Sequence, residues 1–366
     1  MGKQKKVLLM TATGSYNLGD ELILSEEFRF LQEHYKNTVS FSVFTHDKKS
    51  SFLMDPKTDF VTYFPHNIRG KPFSNIGYFF KNIWLILHSD ILIIGGGGII
   101  FDNERGVHFS SLLAQWFLRT KIARLNGTTI VYLGISLEVK QVRNKMQLKK
   151  IFQKGDFIIV RDEQSASLLD ALQIPSSQIP DLAFLYQPEK KKLPTGKKRV
   201  GISVRGGFLA EADELWIASM YEYLEGEGYD PVFLLHTTSG DDAQNDSIFL
   251  KRIMAGKTYH TTGTIEGTLK VYPTLYAVIG MRFHSLVLAS AHGIPFLSIS
   301  YGPKTKELLL LMDVPQEAQI STDHFHLESF KQHWKYLIEN YSSRQMQIQK
   351  KHIEIRNDLI LKLQTL

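Results

Sequence analysis

The chain has 366 residues, of which 43% are hydrophobic and 22% charged, and it carries a formal charge of +6. That length accommodates two ordinary domains with real cores, and the positive balance favours anionic partners, whether metabolite, nucleic acid or lipid headgroup. There is no cysteine, which excludes disulfides, zinc–thiolate sites, iron–sulfur clusters and thiol nucleophiles and fits a reducing compartment.

Residues 1–6 are basic and an apolar run follows over 7–10. The run falls short of the roughly 7–15 residues of a signal-peptide core, so it is expected to be the first β-strand. The apolar stretch 79–87 is broken by Lys81 and Asn82, and no window reaches the roughly 18 apolar residues of a membrane span. The expectation is a soluble, cytoplasmic protein, with peripheral membrane attachment left open.

Short apolar runs alternate with amphipathic stretches along the chain, which predicts βαβ units and a mostly parallel sheet. In the first half the strands fall at 7–10, 39–44, 91–94, 129–133 and 157–161, and the best helices at 21–35, 110–126 and 164–172. Residues 48–71 are mixed and receive no assignment. The second half repeats the logic, with strands at 200–204, 230–235, 276–280 and 294–300 and helices at 213–225, 241–254, 283–292 and 305–312. Between the halves, residues 187–198 are polar, lysine-rich and bracketed by Pro188 and Pro194, a domain linker by composition. The predicted divisions are a first domain over 1–186, the linker over 187–198, a second domain over 199–329 and an amphipathic helical tail over 330–366 that packs back across the domains.

Candidate functional residues sit at strand ends, where open α/β sheets bind ligands. After the first strand comes Thr13-Gly14-Ser15-Tyr16-Asn17-Leu18-Gly19-Asp20-Glu21. Gly14 and Gly19 have Walker A spacing, but Asp20-Glu21 stands where a lysine and a hydroxyl are needed, and carboxylates there would repel a triphosphate. Two readings remain: Asn17 caps a helix with acids in its first turn, or the loop lines a binding cleft. The run Gly95-Gly96-Gly97-Gly98 ends an apolar strand and admits close backbone approach. Asp102 beyond it either accepts from a substrate hydroxyl or caps the next segment. Arg161, at another strand end, either pairs with a neighbouring carboxylate or faces an anion.

The second half is more pointed. Gly201-Ile202-Ser203-Val204-Arg205-Gly206-Gly207 and Met281-Arg282-Phe283-His284 each deliver an arginine to a turn after an apolar strand. His236 and the Ser300-Tyr301-Gly302-Pro303-Lys304 turn also lie at strand ends. Arginine forks bind carboxylate or phosphate bidentately, and imidazole is the side chain suited to moving a proton near neutrality. No HExxH or other local metal-ligand pattern occurs, nor a Gly-x-Ser-x-Gly elbow, nor a helix-turn-helix or aromatic-basic nucleic-acid signature. No metal and no nucleic acid are expected.

Together these stretches resemble the polysaccharide pyruvyl transferase family. The matching elements are the Asn-x-Gly-Asp-Glu loop at 17–21, the glycines 95–98, Arg161-Asp162 with Ser165, Pro180-Asp181, Met281-Arg282-Phe283-His284, and Ile299-Ser300-Tyr301 with Pro303-Lys304. They follow family order over residues 7–312; Gly302 departs from it, where an aspartate is expected in many relatives. The resemblance implies an α/β fold of glycosyltransferase-B-like architecture, two Rossmann-like doubly wound domains facing a cleft, with a C-terminal helical tail. It implies transfer of pyruvate from phosphoenolpyruvate to a sugar, as a ketal, with no cofactor beyond that donor. His284 and Arg282 are then the catalytic pair, and Arg205, Arg161, His236, Tyr301 and Lys304 bind the donor. Asn17, Asp20, Gly97 and Asp102 bind the acceptor, a sugar or lipid-linked oligosaccharide, and the basic surface is compatible with peripheral contact at the inner membrane leaflet. Two rivals stand beside this reading: a nucleotide-sugar-dependent glycosyltransferase of the same architecture, and a catalytically inactive relative in polysaccharide assembly.

Overall fold

The structure is a computed structural model, described over residues 4–35, 38–64, 72–102, 112–153, 155–188, 196–240 and 244–364. The chain folds into two compact units. The first comprises Met1–Ser15 and Asp20–Leu182, the second Tyr16–Gly19 and Ala183–Leu366.

In the first unit, β1 (Lys5–Met10), β2 (Val39–Thr45), β3 (Asp59–Thr62), β4 (Ile91–Phe101), β5 (Thr129–Glu138), β6 (Phe157–Val160) and β7 (Ser177–Gln178) form one sheet. Their order is β3-β2-β1-β4-β5-β6-β7 and every pairing is parallel. Helices α1 (Leu18–Tyr35), α2 (Pro72–Leu87), α3 (Leu112–Leu125), α4 (Val142–Ile151) and α5 (Glu163–Ala171) make the crossovers. A parallel sheet covered on both faces needs strands that are apolar throughout, and Val7–Met10 with Ile91–Ile94 supply the buried centre. The glycine run does not end the strand, as its composition suggests. β4 continues through it, pairing Gly95 with Leu133 and Gly97 with Ile135 before a register shift. The reason is α1. A Cβ on Gly95 would stand 1.9 Å from the Glu27 carboxylate, and one on Gly96 1.9 Å from Ile23, so these glycines let the helix lie directly on the strand.

In the second unit, β8 (Arg199–Ser203), β9 (Asp230–Phe233), β10 (Ala277–Gly280), β11 (Phe296–Ser300) and β12 (Gln319–Ser321) form a parallel sheet in the order β12-β11-β10-β8-β9. The helices are α6 (Glu211–Gly226), α7 (Asp246–Ile253), α8 (Ile265–Val271), α9 (Phe283–Ala291), α10 (Pro303–Leu311), α11 (Leu327–Glu339) and α12 (Tyr341–Gln364). Val200, Ile202, Phe233, Ile279, Leu297 and Ile299 form the middle of its core. The expected tail is two helices, α11 against α6 and α12 against α9.

The division between units falls after Leu182, ahead of the polar stretch 187–198, of which 189–195 lie outside the described residues. Burial explains the offset. Phe184 is fully buried with its ring 5.4 Å from that of His352 on α12, so the residues just before the linker already pack with the second unit.

Candidate active site

Doubly wound sheets bind ligands where the strand order reverses, because the connections leaving the two neighbouring strands there turn to opposite faces. In the second sheet that point lies between β8 and β10. Arg205 follows the end of β8 and Arg282 the end of β10, so topology brings the two arginine turns side by side.

The two guanidinium groups are held in different ways. That of Arg205 lies 4.7 Å from the centroid of Phe208 and 5.7 Å from that of Tyr301, and its Nη1 donates to Tyr301 Oη at 3.2 Å. Among the described residues no carboxylate pairs with it. Aromatic faces orient a cation without cancelling its charge. Arg282 instead forms an ion pair with Asp246 through Nη2, which also donates to the Gln244 carbonyl at 2.8 Å. Their side chains are 11% and 2% exposed. The Asp246 carboxylate further accepts from the backbone N–H groups of His236, at 2.7 Å, and Thr237, at 2.9 Å. Arg282 is therefore an anchored, partly neutralised donor, and Arg205 is the open charge.

His284 stands in the first turn of α9. That helix has no side-chain cap, and neither has α10, whose N-cap is Gly302 and whose first turn holds Lys304. A helix N-terminus presents the positive end of the helix dipole. Two such termini thus follow the adjacent strands β10 and β11, beside the arginines.

The segment Tyr16–Gly19 belongs to this site. Asn17 bridges Thr237 in antiparallel fashion, Leu18 N–H donates to the His236 carbonyl at 2.8 Å, and Thr238 N–H donates to Tyr16 O at 3.1 Å. Asn17 Oδ1 accepts from Gly19 N–H at 3.0 Å, which makes it the cap of α1. Gly19 then lies flat against the imidazole: a Cβ there would come within 2.0 Å of His284 Nδ1 and 2.5 Å of Cε1. A whole ring must move to admit it. Gly19→Ala is expected to fold normally yet lose about tenfold or more in turnover, because it displaces the His284 ring; unchanged turnover would show that the orientation of that ring is immaterial.

His236 does not join the arginines at the surface. Its ring is 1% exposed and meets Tyr272 Oη at 3.2 Å through Nε2, while Tyr272 donates to the Ser285 carbonyl at 3.2 Å. Burial, with Arg282 and His284 nearby, holds His236 well below the usual imidazole range. Burial thus keeps its ring from solvent and disfavours its charged form.

In the first unit the reversal lies between β1 and β4, and there Asp20 meets Gly97. A Cβ on Gly97 would sit 3.4 Å from Asp20 Oδ1, and the residue is left-handed at φ +102°. Glu21, by contrast, is buried and clasps the loop, accepting from Gly14 N–H at 2.9 Å and Ser50 Oγ at 2.7 Å. Asp102 caps: its carboxylate accepts from Lys140 N–H, Gln141 N–H and Asn144 Nδ2 at 2.9–3.0 Å. Burial pushes that carboxyl up, but the donors together hold it below the usual range. Arg161 forms an ion pair with Asp181, itself almost fully buried. That pairing is the first of the two readings its position allows, and Arg161 belongs to the first unit.

The chain matches the polysaccharide pyruvyl transferase family over residues 17–303, a span that runs from Asn17 past His284 and Tyr301. It belongs to that family. No curated protein sequence matches the chain. Among solved structures it is similar to a putative UDP-N-acetylglucosamine 2-epimerase from Listeria monocytogenes, with a TM-score of 0.60, 13% identity, and coverage of 96% of this chain and 91% of that one. A UDP-GlcNAc 2-epimerase from Neisseria meningitidis, bound to UDP-GlcNAc, gives 0.57 and 13%, covering 98% and 100%. The lipopolysaccharide outer core galactosyltransferase WaaB gives 0.50 and 14%, covering 98% and 99%. At these identities the likeness shows the fold, which is the glycosyltransferase-B class.

Sequence reasoning missed Asp246, Phe208 and Tyr272. Asp246 reads as an ordinary first-turn acid after the capping Asn245, and nothing local marks it as the partner of an arginine 36 residues on.

Proposed function

We propose that this pyruvyl transferase family member moves the pyruvyl group of phosphoenolpyruvate onto two hydroxyls of a sugar, in a surface polysaccharide or its lipid-linked precursor, with release of phosphate. The observation that carries the proposal is the pairing of an open guanidinium, Arg205, with an anchored one, Arg282, at the switch point of the second sheet. Phosphoenolpyruvate has a carboxylate and a phosphate, and each suits an arginine fork or a helix N-terminus. Tyr301 and Lys304 complete the donor side, and Asp20, Asn17 and Gly97 are assigned to the acceptor.

The reaction takes a proton from each of two sugar hydroxyls and needs one delivered to the donor methylene. Protonation of the donor methylene makes a methyl group and leaves C2 electrophilic, and one sugar hydroxyl adds there. A second hydroxyl then displaces phosphate to close the ketal. Of the two hydroxyl protons, one balances the new methyl C–H and the other leaves with phosphate. His284 is the proton carrier. Arg205, with Arg282, stabilises the charge that builds on the leaving phosphate.

Thermal denaturation tests the donor. Phosphoenolpyruvate at about 100 times its Kd is expected to stabilise the protein by ~2.7 kcal/mol, and Arg205→Met to abolish that shift. Stabilisation by UDP-sugars and not by phosphoenolpyruvate would replace this reading with nucleotide-sugar transfer.

A further inference from the structure

The first unit carries an apolar surface that its fold does not use. On α2, Ile76, Phe80, Trp84 and Leu87 recur at helical spacing along one stripe, and all four are exposed, Phe80 by 64% and Trp84 by 53%. The next helices continue the surface. α3 packs on α2 and α4 packs on α3, and these add exposed Leu125, Val142 and Met146. Apolar side chains exposed on three successively packed helices mark an interaction site rather than ordinary surface.

The charge of the same surface is one-sided. None of α2, α3 and α4 contains an aspartate or glutamate, whereas Lys81, Lys121, Arg143, Lys149 and Lys150 are exposed on them. Lys6 reaches over the Trp84 ring, 6.0 Å from its centroid, and the His88 ring stacks on Trp84 with centroids 4.4 Å apart. The acids at the border are engaged: Asp156 by an ion pair with Arg124, and Asp90 by the Lys6 N–H at 2.7 Å. An apolar, tryptophan-bearing stripe on helices that carry exposed cations and no acid matches the layered chemistry of a bilayer surface, which joins an acyl boundary to anionic phosphate. A second copy of the chain would set like charge against like, and a nucleic acid would leave the apolar stripe wet. Among the described residues no helix is long and apolar enough to cross a membrane, so the contact is interfacial.

We propose that the α2–α3–α4 face docks the protein on an anionic lipid surface, with Phe80 and Trp84 entering the headgroup boundary and the lysines meeting lipid phosphates. The sources of such anionic phosphate are separable by experiment. Flotation of the purified full chain with vesicles of phosphatidylcholine, or of phosphatidylcholine and phosphatidylglycerol in equal parts, is expected to show binding to the anionic vesicles only, released by salt and not competed by inorganic phosphate. Phe80→Ser with Trp84→Ser is expected to weaken binding about tenfold or more. Lys149→Ala with Lys150→Ala should weaken it by a similar factor, at ~1 kcal/mol per lysine near the surface. All four side chains are surface-exposed, so the melting temperature should not move.

Four outcomes overturn the proposal: no flotation, equal binding to neutral vesicles, variants that float like wild type, or wild-type self-association that the aromatic double variant abolishes in the absence of vesicle binding. None of these readouts involves phosphoenolpyruvate, so the docking face and the proposed reaction fail independently.

Discussion

His284→Ala is expected to lower kcat for phosphate release from phosphoenolpyruvate and acceptor by about a hundred- to ten-thousand-fold, the usual worth of a positioned acid–base group. The fold should survive it, because the side chain stands half-buried at the start of α9 and not in the core. KM for phosphoenolpyruvate should change far less, since the open Arg205 charge and the uncapped helix termini remain. That split separates a proton carrier from a binding residue. Labelling sharpens the test. In D2O the methyl group formed from the donor methylene takes up solvent deuterium, and the substitution should slow this uptake in step with turnover. Turnover within a few-fold of wild type would transfer the proton step to another residue. A large rise in KM with kcat intact would make His284 a donor-binding group.

The contrast between the two arginines states what the sequence could and could not convey. Buried parallel strands are continuous apolar runs, so β1, β4, β8 and β10 were legible from composition alone, and the arginines at their ends were legible as strand-end cations. That Arg205 and Arg282 are neighbours was not. Adjacency depends on the order β11-β10-β8-β9, a tertiary fact with no local signature. The glycine run misled for a related reason. Four glycines resemble a turn, but here they make room for Glu27 and Ile23 on α1, and only the packed helix reveals it. Short β3, β7 and β12 carried too few residues for a periodic signal. By sequence the N-terminal loop falls in the first domain, whereas Tyr16–Gly19 clusters with the second unit, through hydrogen bonds to His236 and Thr238 that no pattern over residues 13–21 could foretell.

The same contrast assigns different chemistry to the two groups. An arginine cradled by Phe208 and Tyr301 retains its full charge for a ligand, and its loss should appear as lost affinity. An arginine already paired with a buried aspartate gives direction more than charge. Gly19 and Asp246 then serve one end: the glycine lets His284 lie in its place, and the aspartate holds Arg282 two residues earlier in the same turn.

Asp246→Ala is therefore expected to be the most destabilising single change at the site, by about 3–5 kcal/mol, the cost of leaving a buried ion pair with one partner. The substitution strands the Arg282 guanidinium and also removes the acceptor of two backbone N–H groups, those of His236 and Thr237. Urea denaturation followed by tryptophan fluorescence measures it. Asp246→Asn keeps a side-chain oxygen for the N–H groups and loses only the charge, so it should be milder in stability. In turnover it should still be costly, by about a hundred-fold, because an unanchored Arg282 no longer holds the donor in register. Adding Arg282→Met to Asp246→Ala removes the stranded charge and should restore part of the lost stability, a positive coupling that a double-mutant cycle reads directly. Additive losses in that cycle would mean that the pair is not a unit. Asp246 would then support the turn at His236 and Thr237 alone, and the direction of Arg282 would have to come from the Gln244 carbonyl.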